Sequence, residues 1–545
     1  MRSTRRPSLL TTFALCIALL LAASGCSTQK RLERLNARVD SLLGEARVPA
    51  LGEDAPVEAF DVDGYRPWTP PAGAQPDDVV YLDLRKALEL AAKHSRDYQN
   101  ARESLYGSAL SLVAQQHLWQ WNPLHNLEAL LTTTQEPESQ TTFSTGESLG
   151  FSRRLAAGGR LTGSLAMNTL RYCSGDTGIQ IGTLASLTLT QPLLGGSGSL
   201  VARESLTQAE RNLIYALRSY VRTRRALLLE IAEKYYDVLN AEADLRIGEM
   251  SYESLKYSRD RSQAMSESGR VTQIDVDQAQ QRLLSSESTL VSNRESIQNA
   301  KDSLKVALAI PLETEIEVEP RDMEILLTAP LPEPTITLEE ALQTALRQRL
   351  DFANTRDALE DARRAVRIAR DGMRAKLDLT LSASAAGRDG NRVHSPRIGK
   401  ATYSAGLDAD LPLDRTDEAI ALRRAILQEN RQERDLEETK EELMQSLRRT
   451  WNQLHSYQQR IAIQKLSVTL AEKRVENTRM LFEDGRIAIR EYLDAQDDLS
   501  NARNSLTQQL VSHRMCWLRF LHQMEELPAD PNTLWCDRLE IPEAP

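Results

Sequence analysis

Gly269-Arg270-Val271-Thr272-Gln273-Ile274-Asp275-Val276-Asp277-Gln278-Ala279-Gln280 and Gly485-Arg486-Ile487-Ala488-Ile489-Arg490-Glu491-Tyr492-Leu493-Asp494-Ala495-Gln496 are two versions of one passage. Each lies inside a stretch without proline, Leu193 to Ile310 for the first and Leu413 to Leu527 for the second. Stretches of that length without a helix breaker exceed an ordinary globular helix. Each therefore reads as a long helical hairpin bent at its glycine, Gly269 or Gly485.

The chain is a duplication. When Leu82 to Leu105 is laid over Ile336 to Leu359, Leu84, Ala87, Leu88, Ala91, Asp97, Asn100, Arg102 and Leu105 fall on Leu338, Ala341, Leu342, Ala345, Asp351, Asn354, Arg356 and Leu359. Shared helical periodicity explains matches at apolar positions, but not the polar ones as well. Between the halves, Pro311, Pro320, Pro330, Pro332 and Pro334 mark a connector over 311–335. The repeats are 81–310 and 336–527, and 528–545 is a tail.

Aromatic residues make up 5% of the 545-residue chain and charged residues 26%, a balance suited to long solvated helices. In the first arm Leu213, Leu217, Tyr220, Leu227, Ile231 and Val238 form a narrow stripe of three and four spacing, interrupted by Arg224 and Lys234. From Val201 to about Glu267 a continuous helix spans roughly 100 Å at ~1.5 Å per residue. The formal charge is −10, or −13 once the three arginines of residues 1–25 are removed, which argues against a nucleic-acid partner.

Arg2, Arg5 and Arg6 precede an apolar run from Leu9 to Ala22, followed by Ala23-Ser24-Gly25-Cys26. This is the order of a secretory signal over 1–25, and no later segment has the apolar length of a spanning helix. After it, 26–80 reads as an extended tether, with a charged piece from Lys30 to Arg47 and then Pro49, Pro56, Pro67, Pro70, Pro71 and Pro76. Cys173, Cys516 and Cys536 show no metal spacing, and an exported chain can bridge Cys516 to Cys536.

A helix is expected from Leu84 to Trp121, stopping at Pro123. Beyond it the period changes to two. Leu161, Gly163, Leu165 and Met167 alternate with polar or small residues, as do Ala185, Leu187 and Leu189, then Leu377, Leu379 and Leu381, then Tyr403, Ala405, Leu407 and Leu411. One apolar and one polar face suits strands of a lipid-facing barrel around a wet lumen; a two-layer sandwich edge is the other reading. Ser148 to Leu155 and Arg160 to Leu170 read as an additional hairpin, within 146–170, which brings the first half to four strands. Pro192 and Pro412 close the strand regions before each long hairpin.

Short helix, strands, proline, long arm, glycine turn and return arm thus occur twice. Over about residues 80 to 525 this order resembles the TolC-like outer-membrane efflux proteins, with the Gly-x(5)-Asp/Glu turn and the pre-helix prolines as the most specific marks. The resemblance implies a mainly α fold with a β-barrel portion. Duplicated helical hairpins plus short strands would build a homotrimeric β-barrel continued by a periplasmic α-barrel. It also implies an outer-membrane exit duct of a tripartite efflux or type I secretion system, working with a periplasmic adaptor and an inner-membrane transporter. Cys26 after small residues is similar to a bacterial lipoprotein signal, with plain cleavage as the alternative. Lipidation there, with Ser27 following, implies anchoring in outer-membrane lipid.

By the same resemblance Gly269 and Gly485 are the hairpin tips, and Asp275, Glu491 and Asp494 line a periplasmic pore constriction; a solvated helix face is the plainer account of those acids. Phe482 and Ile487 stand where related proteins carry a tyrosine and an arginine that hold neighbouring hairpins shut, which leaves Arg486 as a substitute. No enzyme is expected. Gly146-Glu147-Ser148-Leu149-Gly150 has the form of a nucleophile elbow but lies in a strand-like run, and neither a zinc-binding histidine pair nor a phosphate loop occurs. No cofactor or metal is called for. The rival from another class is a lipid-anchored periplasmic coiled-coil scaffold without a pore.

Overall fold

The computed structural model describes residues 28–51, 68–69, 79–134, 140–172, 179–388, 390, 392–411, 413–530 and 532–540; Cys26, Cys173 and Pro412 lie outside them. The elements in chain order are α1 (Thr28–Leu51), β1 (Val80–Leu82), α2 (Leu84–His94), α3 (Arg96–His117), β2 (Asn122–Thr134), β3 (Gln140–Arg154), β4 (Arg160–Tyr172) and β5 (Ile179–Pro192). The first long hairpin follows as α4 (Glu204–Glu267) and α5 (Gln273–Leu308). The connector holds β6 (Ile316–Val318) and α6 (Arg321–Thr328), and the second half runs α7 (Leu338–Gln348), α8 (Leu350–Gly372), β7 (Lys376–Ala386), β8 (Thr402–Asp410), α9 (Thr416–Glu483) and α10 (Ile489–Gln523).

The duplication is visible element by element. α2 and α7 are both 11 residues long and end at aligned positions, Ser95 and Arg349, whose extended backbone starts a new helix. The single helix expected from Leu84 to Trp121 is therefore two, because Ser95 at ψ 127° breaks the first. Each repeat is launched by a cap. Asp83 accepts from the Lys86 N–H, and Thr337 exchanges hydrogen bonds with Glu340.

The chain divides into two compact units. One comprises residues up to 52 with 105–217 and 354–436; the other takes 53–104, 218–353 and 437–545. The first contains an antiparallel sheet in the order β2-β3-β4-β5-β7-β8, so β5 and β7 join the two repeats edge to edge. Register places Leu149, Leu165 and Ala185 side by side, as it does Leu161, Leu189 and Leu381, then Leu379 and Leu407. Leu127, Leu149, Leu165, Leu187, Leu381, Leu407 and Tyr403 are all exposed on this apolar face. On the opposite face Ser164 meets Ser186, Ser382 meets Ser404, and Asp378 lies across from Asp408. His125 and Glu147 interrupt the apolar face as a pair, with Nε2 and Oε1 3.4 Å apart.

Four strands of the first half do join the six-stranded sheet, but the outermost, β2, was not expected. Leucines at 124, 127, 130 and 131 step by three and blur the alternation, and Pro123, read as a stop, sits near the start of the strand. The extended tether is also corrected in part. Thr28–Leu51 is helical, because Val39, Leu42, Leu43, Ala46 and Ala50 recur at helical spacing and are buried.

The second unit contains the parallel pair β1 and β6 and both hairpin tips. Glu525, held at φ 63°, accepts from Arg222, Arg225 and the Leu350 N–H, which ties the end of α10 to α4 and to the start of α8. Cys516 and Cys536 are buried free thiols rather than a bridge.

Candidate functional site

Both tips turn in the same way. Gly269 and Gly485 each have φ 72°, the left-handed region that costs an L side chain about 1 to 2 kcal/mol. The Arg270 N–H donates to the Met265 carbonyl at 2.8 Å and the Gly269 N–H to Ser266 at 2.9 Å; Arg486 and Gly485 repeat this on Leu481 and Phe482, both at 2.9 Å. A Cβ at either glycine would meet no atom within 4 Å, so conformation and not space selects glycine here.

Beneath the turns an apolar cluster joins the two hairpins of the chain. Leu255, Met265, Ala279 and Leu283 from the first pack with Phe482, Ile489, Tyr492 and Leu493 from the second. Phe482 stacks on Tyr492 with ring centroids 5.8 Å apart and planes 15° from parallel, and Ile487 packs against the same cluster. Phe482 and Ile487 thus make apolar contacts at the two positions where the sequence resemblance leads one to expect polar links. Gln496 adds a buried polar tie, donating from Nε2 to Ser254 Oγ at 2.6 Å.

The charged residues divide by role. Asp275 is engaged in its own helix cap: its Oδ2 accepts from the Thr272 N–H at 2.9 Å and from the Thr272 hydroxyl at 2.8 Å. Arg486 lies 3.8 Å from Asp484 in its own turn. Glu491 is exposed in the first turn of α10. Asp494 takes Arg282 at 3.1 Å and Arg490 at 3.8 Å, while the other arm of Arg282 reaches Asp497 at 2.9 Å. Burial raises the Asp497 carboxyl above the usual range, Arg282 opposes that, and Asp494 and Asp498 reinforce it. Arg282 is the residue that sequence reading missed. Its only signal is an arginine thirteen positions past Gly269, and the register between α5 and α10 cannot be read from one hairpin.

Pro192 ends β5 opposite Asp378, and the next residue, Leu193, donates its N–H to the Leu377 carbonyl at 2.7 Å. The junction thus leans on the second repeat. Among the described residues no group of His, Cys, Asp and Glu is arranged to hold a metal.

The sequence profile of the outer membrane efflux protein family matches residues 155–309 and 341–511. The chain belongs to that family. The alkaline protease secretion protein AprF of Pseudomonas aeruginosa is 24% identical over 340 residues, covering 62% of this chain and 68% of its own. Among solved structures, the outer membrane protein VceC of Vibrio cholerae superposes with a TM-score of 0.61 at 17% identity, over 81% of this chain and 95% of its own. The CmeC outer membrane channel of Campylobacter jejuni gives 0.59 at 14%, over 81% and 85%. The chain is an outer-membrane exit duct with a periplasmic part, and not an enzyme. The matched residues begin at Leu155, in the β3–β4 turn, so β2 and β3 lie ahead of them.

Proposed function

We propose that three copies of the chain close one β-barrel in the outer membrane and pass exported polypeptides or small solutes outward. A periplasmic adaptor and an inner-membrane transporter supply the cargo and the energy. The single observation that carries this is the sheet: six antiparallel strands, one apolar face, and two open edges, β2 and β8, that run in opposite directions. Open edges are not viable in lipid, and edges of opposite direction can pair antiparallel from copy to copy around an axis. Three times six strands gives eighteen, a size at which barrels leave an aqueous channel. The secretion relative supports polypeptide cargo.

In this reading the leucine face meets lipid and the Asp378, Asp408 and Asp410 face lines the lumen. Cys26, acylated, adds an anchor. The hairpin tips, through Gly269 and Gly485, face the inner membrane, where three copies of Glu491 and Asp494 surround the axis and Asp275 and Arg486 flank them. The scaffold alternative has no use for an exposed apolar face spread over six strands.

A charge at a lipid-facing site near the midplane costs about 2 to 4 kcal/mol, whereas a lumen change leaves stability alone. Leu165→Arg, at the middle of β4 on the apolar face, should therefore lose the heat-resistant trimer and Asp408→Asn should keep it. Equal loss in both would remove the barrel assignment.

A further inference from the structure

We propose that a cleft between α1 and α3 binds the headgroup of an anionic phospholipid at the foot of the sheet; this rests on the outer-membrane reading above. The cleft has a volume of about 750 Å³, and its basic side is formed by Arg31, Arg34, Arg38 and His117. Its floor is apolar: Leu35, Leu110, Val113 and Ala114. Among the described residues no carboxylate lines it. Arg38 is oriented by Gln116, to which its Nη2 donates at 3.0 Å, and its Nη1 stands 3.9 Å from Glu45 outside the cleft. Among the described residues no ion pair engages Arg31 or Arg34, and both are exposed. A basic cleft in a chain of net charge −10 is a local feature, not a consequence of composition.

Its depth in the membrane follows from its neighbours. His117 is five residues before Asn122, where β2 begins. Between them Trp121 packs edge-on against Phe151 at 5.2 Å with Arg153 stacked 5.1 Å over its ring, and Arg203 lies 5.9 Å over Trp119. Aromatic and arginine side chains of this kind mark the interface where headgroups lie. α1 begins two residues past Cys26. A free phosphate would satisfy the guanidiniums, but only a lipid also covers the apolar floor with its methylenes. The cleft therefore assigns the ligand to the phospholipids and not to inorganic phosphate.

The test uses the full chain in phosphatidylcholine nanodiscs with and without phosphatidylglycerol, with retained lipid read by native mass spectrometry. Wild type should retain phosphatidylglycerol over phosphatidylcholine. Changing Arg31, Arg34 and Arg38 together to alanine should reduce that preference by about tenfold or more, and changing all three to lysine should keep most of it. The barrel is read separately, from the heat-resistant trimer in the same samples. A heat-resistant trimer with no lipid preference would overturn this site alone. Retention unaffected by the alanine changes would overturn it as well, and displacement of the lipid by inorganic phosphate would overturn the choice of ligand.

Discussion

Arg282 spans two carboxylates of the other hairpin, Asp494 at 3.1 Å and Asp497 at 2.9 Å, and so draws one of the proposed pore acids into a link within the chain. All three side chains are partly exposed, so the energy of each contact is small, and its worth lies in where it holds α5 against α10. Arg282→Ala should raise single-channel conductance and leave the amount of trimer unchanged. Because burial raises the Asp497 carboxyl, it takes up its proton at a higher pH than an exposed aspartate, near ~4, would. The Arg282–Asp497 arm of the link then loosens on mild acidification. Wild-type conductance should rise as pH falls toward that range, and the slope should flatten in Asp497→Asn; a slope unchanged by Asp497→Asn would exclude this residue. Gly485→Ala should cost about 1 to 2 kcal/mol through φ alone, measurable as a lower denaturation midpoint.

At the scale of the element, α10 holds two histidines where they cannot easily be charged. His513 is lowered to about 4 by burial with Arg514 beside it, and its Nε2 is buried without a hydrogen-bond partner. His522 is lowered to about 4 by burial and by Arg222, Arg225 and Arg349. In the unfolded chain both titrate near ~6.5, so between that value and about 4 the unfolded state binds more protons. Their contribution to stability is complete above the unfolded value and is lost as pH falls through this window. Denaturation midpoints measured from neutral pH down to about 5 should drop, and less steeply in His513→Gln with His522→Gln. Two helices of 64 and 68 residues follow from the absence of proline, as the sequence implied, whereas β2 escaped notice because its leucines step by three.

For the whole molecule, the proposed ring of acids predicts how ions behave. Three copies of Glu491 and Asp494 around one axis should concentrate cations, and like-charge repulsion among them should favour multivalent ones. Glu491→Gln with Asp494→Asn should reduce cation over anion selectivity in planar bilayers; unchanged selectivity would place the constriction elsewhere. Asp275 should matter less than either, because its carboxylate is committed to the Thr272 cap. With Phe482 and Ile487 in an apolar cluster that joins two hairpins of one chain, the closed state should respond more to cavity-forming changes such as Phe482→Ala than to salt.

What the sequence determined by itself is what repeats along the chain or depends on one residue's backbone. The duplication, the long arms, the glycine turns and the alternating strands are local facts, written in period, proline and glycine. The tertiary structure decided what depends on register between distant segments. It set β5 beside β7 to make one sheet from two repeats, and Arg282 opposite Asp494 and Asp497. It also gathered Phe482 and Ile487 into the apolar cluster of the tip. A side chain's partner two hundred residues away is fixed by packing, which neighbouring residues do not encode.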